Sequence, residues 1–218
     1  MTYHYESTSE FIKSISEVDT LKKLAASDDE NRTLFLKLSI VSLVTKFQVF
    51  IEKILLEFRE GINGVTSDKL PLYMKMNAVK LSVLDNSNAL IAIKNHKTFT
   101  EEKKNKIVDY LDSISFISNH HKKIDNSFRF DTKFPLGRTG KNELIKLLSQ
   151  IDGDESPFDK FDKDDFNKLD SLLQVRHLII HQDRFMGTET TVSDNIHFLK
   201  NLAEYIDNYI FEKYQKFS

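Results

Sequence analysis

The chain has 218 residues, of which 40% are hydrophobic and 29% are charged, and its formal net charge is −2. These proportions suit a domain with a sizeable core, and the near-neutral charge excludes a chain that binds nucleic acid through its overall charge. Cysteine is absent, which excludes disulfides, thiolate metal sites and a cysteine nucleophile.

The glycine and proline content and the N-terminus narrow the class further. Six glycines and three prolines favour long helices over a turn-rich sheet protein. The N-terminal stretch MTYHYESTSEF lacks the apolar segment of a secretion signal, and no uncharged apolar run approaches the roughly 18 residues that span a bilayer. We therefore expect a cytoplasmic protein that has no membrane partner.

Apolar residues spaced three and four apart predict helices from the start of the chain. A short first helix is expected over residues 11–21, and a long second helix over residues 33–60, after which Gly61 and Gly64 follow. The stripe of the second helix comprises Ile40, Leu43, Val44, Phe47, Phe50, Ile51, Ile54, Leu55 and Phe58. A helix of this length is expected to form the spine of the fold.

Helical spacing continues beyond the two glycines, although more weakly. A third helix is expected from Leu72, and a fourth after Thr100, which is a suitable cap for TEEKKNKIVDYLDSISFISNHH. The stripe expected to be buried on the fourth helix comprises Ile107, Tyr110, Leu111, Ile114 and Ile117. Residues 125–140 lack the pattern and hold one proline and two glycines, which predicts a long loop.

Three further helices complete the predicted order. A short helix is expected over KNELIKLLSQI, and another after a cap at Asp162 or Asp164, with a stripe from Phe166 and a stop at Gly187. A last amphipathic helix is expected to carry a stripe from Ile196 to Phe217. No internal repeat or long linker divides the chain. The sequence therefore predicts an all-α protein, a single domain over residues 1–218 that contains six to eight helices.

One predicted loop is unusually basic. Between His120 and Lys141 the chain has two acidic residues against six basic ones, which are Lys122, Lys123, Arg129, Lys133, Arg138 and Lys141. Such a segment can hold phosphate groups, and Lys122 and Lys123 are then candidates for substrate binding. The alternative is an ordinary solvated loop.

The segment LLQVRHLIIHQDR, residues 172–184, places an arginine and two histidines inside an apolar run. At about 100° per residue, Arg176 falls near the middle of a face formed by Leu169, Leu172, Leu173 and Ile180. A buried guanidinium without a partner is costly. Arg176 is therefore expected to be paired, to line a wet cleft or to meet a second subunit.

The two histidines have a different relation to the arginine. His177 and His181 are four residues apart and share a face of the helix, whereas Arg176 and His181 point about 140° apart around a straight helix. Arg176 and His181 can serve one small site only if the helix is distorted after Ile180 or if a two-fold partner brings in a second copy.

Three interpretations of these residues remain open. Arg176 could pair with a core carboxylate, with both histidines as partly buried polar residues. The segment HLIIH has the spacing of a helical zinc pair, but the usual glutamate is missing and a third ligand would have to be His120, His121 or His197. In the third interpretation the histidines exchange protons and the arginine stabilises a phosphorane, so that RNA is cut through its own 2′-hydroxyl.

The run Arg176-His177-Leu178-Ile179-Ile180-His181 resembles the R-x(4–6)-H motif of the HEPN superfamily, in which a polar residue often follows the arginine. The helix KDDFNKLDSLLQ, the final helix and the early helix LKLSIVSLVTKFQVFIEKILLEF are similar in layout to stand-alone HEPN ribonucleases of the RiboL-PSP type. The resemblance covers the chain from about Phe11 onward. It implies an antiparallel helical bundle that forms a homodimer, with the two motifs facing one cleft.

The resemblance also implies an activity. It is metal-independent endonucleolytic cleavage of RNA by 2′-hydroxyl attack, which leaves a 2′,3′-cyclic phosphate and serves toxin–antitoxin systems or antiviral defence. His181 would be the acid–base residue, Arg176 would bind the scissile phosphate and His177 would assist. No cofactor and no metal would take part, and an antitoxin or defence-system protein would be a further partner. Other HEPN proteins have lost catalysis and act as protein- or RNA-binding modules, which is the alternative function.

Three more positions follow from the resemblance. Several members carry an acidic residue midway along the early helix, directed at the site. The nearest positions here are Gln48 and, one turn later, Glu52, so we expect both at the substrate. Toxin members that pair with a nucleotidyltransferase antitoxin carry a tyrosine two residues after the motif histidine. That position is Asp183 here, which argues against this mode of control and leaves Asp183 as a substrate-binding candidate.

Overall fold

The computed structural model describes residues 3–95, 100–135, 140–153, 156–161 and 163–217. Its α-helices, in chain order, are α1 (Glu6–Ser27), α2 (Arg32–Gly61), α3 (Leu72–Lys94), α4 (Glu101–Ser118), α5 (Gly140–Asp152), α6 (Lys163–Gln182) and α7 (Glu189–Tyr214). A 3₁₀ turn occupies Ser67–Lys69, and an isolated bridge joins Thr66 to Lys123. The predicted all-α fold is confirmed.

Contacts divide the chain into two compact units. Unit 1 comprises Met1–Glu57, Thr132–Leu147 and Glu155–Phe211, and unit 2 comprises Phe58–Asp131, Leu148–Asp154 and Glu212–Ser218. Each unit therefore combines early and late parts of the chain. The single domain over residues 1–218 stays a prediction.

The stripe of α2 is buried as its spacing predicted. Every residue of the stripe, from Ile40 to Phe58, is at most 1% exposed. Burying one such aliphatic or aromatic side chain contributes about 1.5–3 kcal/mol, so the stripe is a major source of stability. By length and composition alone α2 could also cross a membrane, with a mean hydropathy of 1.8 over an 18-residue window. In this structure its apolar face forms core instead.

The N-terminus of α1 is held by two carboxylates from other helices of unit 1. Glu57 accepts hydrogen bonds from the backbone N–H groups of Glu6 and Ser7 at 3.0 and 2.8 Å. The buried Asp207 accepts three more, from the N–H groups of His4 and Tyr5 and from the hydroxyl of Thr8. These carboxylates satisfy donors that have no partner inside the helix and face its positive end. The first helix is thus fixed by residues up to 203 positions away.

The stripe predicted for α4 is wrong. Leu111 is exposed and none of the other four predicted residues is buried, whereas α4 does bury Ser113 and Phe116. The helix itself begins where expected, because the hydroxyl of Thr100 accepts a hydrogen bond from the N–H of Lys103. Within unit 2, α4 packs against α3. Periodicity located the helix but did not show which of its sides is covered.

In unit 1 the first residues of α5 pack against and hydrogen-bond to α6. A Cβ atom added to Gly140 would lie 1.9 Å from Cδ1 of Leu173, so only a glycine allows this close approach. The next residue, Lys141, donates its backbone N–H to Oδ1 of Asp170 at 2.8 Å and its Nζ to Oδ1 of Asn167 at 2.8 Å. The middle of α6 is therefore tightly located.

Candidate active site

The first half of α6 belongs to the core. Three residues spaced three and one apart form its buried face and are at most 3% exposed: Leu169, Leu172 and Leu173. This spacing places them on one side of an α-helix, which is why the segment forms a helix against the core. The motif residues follow on the next turns of the same helix.

Arg176 continues this face but is only half-buried. Its Nε atom is buried and has no hydrogen-bond partner in the part of the chain that the structure describes. No described carboxylate pairs with its guanidinium either, so the expected pairing with a core carboxylate is not found there. A guanidinium stays charged and offers five N–H donors, and an unsatisfied buried donor costs about 1–3 kcal/mol. The arginine is thus kept at a cost in stability.

The two histidines lie side by side. The ring centroids of His177 and His181 are 4.4 Å apart, with an angle of 48° between the ring planes. The prediction that they share a face is confirmed. His177 is half-buried and His181 is exposed to solvent. Two imidazoles this close can offer proton-exchanging groups to one bound substrate.

The apolar stripe of α6 leaves the core at Ile180. The sequence placed Ile180 on the buried face with Leu169, but its side chain is 46% exposed. The following loop carries Met186, which is fully exposed. The apolar stripe of α6 is therefore longer than the part of it that the core buries.

The helix α6 ends at Gln182, before the stop predicted at Gly187. The reason is Asp183, whose φ of 52° lies in the left-handed region. In this conformation the N–H of Asp183 binds the carbonyl of Ile179 at 3.1 Å, and the N–H of Arg184 binds that of Leu178 at 3.3 Å. A left-handed residue directly after the last turn is a common helix end, and aspartate tolerates it better than most residues.

Asp183 is bound by a lysine that the sequence analysis missed. Nζ of Lys37, on α2, lies 2.6 Å from Oδ1 and 2.8 Å from the main-chain oxygen of Asp183. No sequence signal reveals this contact, because the two residues are 146 positions apart. At the other end of the loop, Arg32 contacts Glu189 at 2.7 Å, and this hydrogen bond holds the pKa of the Glu189 carboxyl below its usual value.

Gln48 and Glu52 hold one segment of backbone to α2. Gln48 Nε2 donates to the carbonyl oxygen of Phe134 at 3.0 Å, and the N–H of Phe134 donates to Glu52 Oε1 at 3.1 Å. Among the described residues no hydrogen bond joins either side chain to Arg176 or His181. Their contacts here are structural, and their role in substrate binding stays a prediction.

The two lysines of the basic loop belong to unit 2. Lys122 donates from Nζ to the hydroxyl of Ser115 at 2.6 Å and lies 4.1 Å from the ring centroid of Phe116. Lys123 is exposed. Arg138, which contributed to the basic character of the segment, lies outside the described residues. A phosphate-binding role of this loop stays a prediction.

Within the described ranges no three histidine, aspartate or glutamate side chains form a group suited to a metal ion. His197, named above as a third ligand, instead lies 3.2 Å from Nδ2 of Asn201 on α7. α6 brings two imidazoles together, and it carries a permanent cation with spare donors about 140° around the helix from His181. Gathered at one point, such groups can bind a phosphate, stabilise negative charge on it and move protons.

Comparison with known proteins gives one finding that covers nearly the whole chain. A protein-family model described as RiboL-PSP-HEPN matches residues 9–212, which include the motif from Arg176 to His181. Neither the curated proteins nor the solved structures yielded a match. The family that the motif and the helix layout indicated is thereby confirmed, and the chain belongs to the RiboL-PSP-HEPN family.

Proposed function

We propose that the chain is a metal-independent endoribonuclease of HEPN type that works as a homodimer. The observation that carries the proposal is Arg176, which is half-buried, has an Nε without a partner among the described residues and lies a little more than one turn before the exposed His181. An arginine with a purely structural role would be paired with a carboxylate, because a buried guanidinium without a partner is unfavourable. An arginine that binds a scissile phosphate has its partner only when substrate is present. Membership of the family supports the nuclease chemistry.

The proposed reaction needs only groups that the chain supplies. His181 removes the proton of the 2′-hydroxyl, and the O2′ atom attacks the adjacent phosphorus. A bond forms between O2′ and phosphorus while the bond from phosphorus to O5′ breaks, which gives a 2′,3′-cyclic phosphate and a 5′-hydroxyl. A second imidazole, from His177 or from the other copy of His181, donates a proton to O5′. Arg176 donates to the non-bridging oxygens and stabilises the charge of the phosphorane.

A second copy of the chain could bring Arg176 and His181 to one site, although they point in different directions within one chain. Arg176 and His181 point about 140° apart on a straight helix, and α6 stays α-helical through Gln182. A two-fold axis beside the end of α6 would place Arg176 of one copy near His181 of the other. The exposed Ile180 supports this arrangement, since a partner would cover it.

The proposed setting is a cytoplasmic toxin or antiviral defence nuclease. An endoribonuclease that uses neither metal nor cofactor is not limited by the supply of a small molecule. Its activity would have to be restrained by a protein, and an antitoxin or another defence-system protein is the proposed partner.

Cleavage of a labelled single-stranded RNA in the presence of EDTA tests the chemistry. We expect wild-type protein to leave 2′,3′-cyclic phosphate ends, and His181→Ala to cut roughly 10²–10⁴-fold more slowly because the proton-transferring group is gone. His197→Ala is the matched control, since His197 is also an exposed histidine but lies on α7. Equal rates for wild type and His181→Ala would refute the proposal. RNA binding without cleavage by pure wild-type protein would favour a non-catalytic HEPN-like binding module.

A subunit-mixing experiment tests the shared site. Wild-type and His181→Ala proteins are mixed in equal amounts and allowed to exchange subunits. If both copies of His181 form one site, only pure wild-type dimers cut, and the activity falls to roughly one quarter of that of undiluted wild type. If each chain has its own site, about half of the activity remains. The second result would exclude a single site that needs both copies of His181, while leaving the nuclease activity intact.

A further inference from the structure

We propose that Lys37 is a positioning residue for His181, an inference that rests on the proposed nuclease function. Lys37 lies near the start of α2, and its Nζ contacts both Oδ1 and the main-chain oxygen of Asp183. Asp183 follows His181 by two residues and marks the end of α6. Lys37 thus binds the chain directly beside the proposed acid–base residue without belonging to the motif.

The bond to the main-chain oxygen is the important part of this contact. The side chain of Lys37 is 16% exposed, but that of Asp183 is 88% exposed, so solvent screens the ion pair between them. The hydrogen bond to the carbonyl fixes backbone rather than a mobile carboxylate. A cation at this place also faces the negative end of the α6 dipole and one of its last carbonyls.

Asp183 needs such a contact because of its backbone conformation. A φ of 52° is unfavourable for a residue with a Cβ atom, and it persists where the surroundings hold it. Among the described residues, Lys37 is the side chain that is hydrogen-bonded to Asp183. Lys37 therefore stabilises the left-handed conformation.

That conformation in turn closes the turn that carries His181. It directs the N–H groups of Asp183 and Arg184 to carbonyls of Ile179 and Leu178. The last carbonyls of a helix have no partner inside it, so without these bonds the final turn frays. Fraying would displace His181 but not Arg176, which lies more than a turn further inside α6. Loss of Lys37 should thus impair proton transfer and leave phosphate binding intact.

Steady-state cleavage kinetics test this separation. We expect Lys37→Ala to lower kcat roughly 10-fold to 10²-fold, the size of effect known for a small misplacement of a catalytic group. KM should stay within about two-fold, because Arg176 keeps its place. Lys37→Arg, which retains the cation and its donors, should recover most of kcat. The control is Lys46→Ala, since Lys46 also lies on α2, contacts Glu17 at 2.7 Å and is similarly buried. A larger KM with unchanged kcat for Lys37→Ala would overturn the proposal.

Asp183→Gly shows whether Lys37 acts through the backbone of residue 183. Glycine adopts the left-handed conformation without a steric penalty. In the Asp183→Gly background, Lys37→Ala should therefore reduce kcat by only about three-fold or less, since no strain remains for the lysine to oppose. A reduction as large as in the parent protein would mean that Lys37 acts in another way.

Amide hydrogen exchange tests the same inference without any substrate. Lys37→Ala should accelerate exchange at the N–H groups of Asp183 and Arg184 roughly 10-fold, because their bonds to α6 open more often. Lys46→Ala should leave both rates unchanged. If wild-type protein cuts no RNA, the proposed nuclease function fails, yet this measurement still decides about Lys37. Unchanged exchange in Lys37→Ala would overturn the positioning role even if the wild type is an active nuclease.

Discussion

The two halves of α6 share one periodicity but have different surroundings. In the first half the apolar face is at most 3% exposed, at Leu169, Leu172 and Leu173. In the second half the same face carries Arg176, whose buried Nε has no partner among the residues that the structure describes, and then Ile180, which is 46% exposed. The periodicity of the sequence therefore shows which side of a helix is apolar. It does not show how far along the helix other parts of the protein bury that side.

This difference separates stability from activity along one helix. The first half is satisfied, since Gly140 of α5 lets Leu173 pack closely and Asp170 binds the start of α5. The second half is not satisfied, since Arg176 keeps a charged donor without a partner in the described part of the chain and Ile180 lies partly in water. Sites that break packing rules are where function is expected to reside. Substitutions in the two halves should therefore have opposite effects.

The largest effect on stability is expected from Leu169→Ala in the first half. Truncating a fully buried leucine leaves a cavity and should lower the free energy of unfolding by about 2–5 kcal/mol. The folded fraction should still cleave RNA at the wild-type rate, since the motif is untouched. Urea denaturation and activity per folded molecule measure the two quantities. A loss below about 1 kcal/mol would mean that the first half is less well covered than its burial indicates.

Arg176→Met in the second half should have the opposite effects, with stability kept and activity lost. Methionine has a similar length and carries no donor, so removal of the unpaired Nε should leave the free energy of unfolding unchanged or raise it by up to about 1–3 kcal/mol. Cleavage should be lost at the same time. Arg32→Met is the control, because Arg32 has a partner in Glu189 and loss of this solvent-screened pair should leave the free energy of unfolding unchanged or slightly lower. If Arg176→Met clearly lowers the free energy of unfolding, the second half of α6 contributes to stability as the first half does.

The smallest effect on the single chain is expected from Ile180→Ser. A partly exposed side chain outside the core should change the free energy of unfolding of the monomer by no more than about 0.5 kcal/mol. If the stripe continues into a dimer interface, the same change should raise the dissociation constant of the dimer roughly 10-fold, which corresponds to about 1.4 kcal/mol. Sedimentation at several protein concentrations measures this constant. An unaffected dimer would place its interface elsewhere on the chain.

The features that could be predicted from the sequence are local ones. The stripe of α2 was correctly predicted because nine apolar residues follow the helical period without interruption. His177 and His181 could be placed side by side because they lie four residues apart on one helix. The cap at Thr100 was likewise visible, since its partner Lys103 is three residues away.

The features that could not be predicted depend on distant partners. The stripe of α4 followed the same rule as that of α2, but nothing in its sequence shows that Leu111 is exposed and the other four residues are only partly buried. The end of α6 was placed at Gly187 because glycine is the usual left-handed residue, whereas Asp183 adopts that conformation with Lys37 bound to it. A contact across 146 positions leaves no mark in a single sequence.

The position of Asp207 affects how the protein is made. This carboxylate binds the N–H groups of His4 and Tyr5, so two segments about 200 positions apart depend on each other. The carboxylate that holds the N-terminus of the first helix is synthesised about 200 residues after that N-terminus. Contacts of such long sequence separation form late in folding. The N-terminus of α1 therefore reaches its native contacts only after Asp207 has been synthesised, so a proposed RNA-cutting fold is not complete before that point.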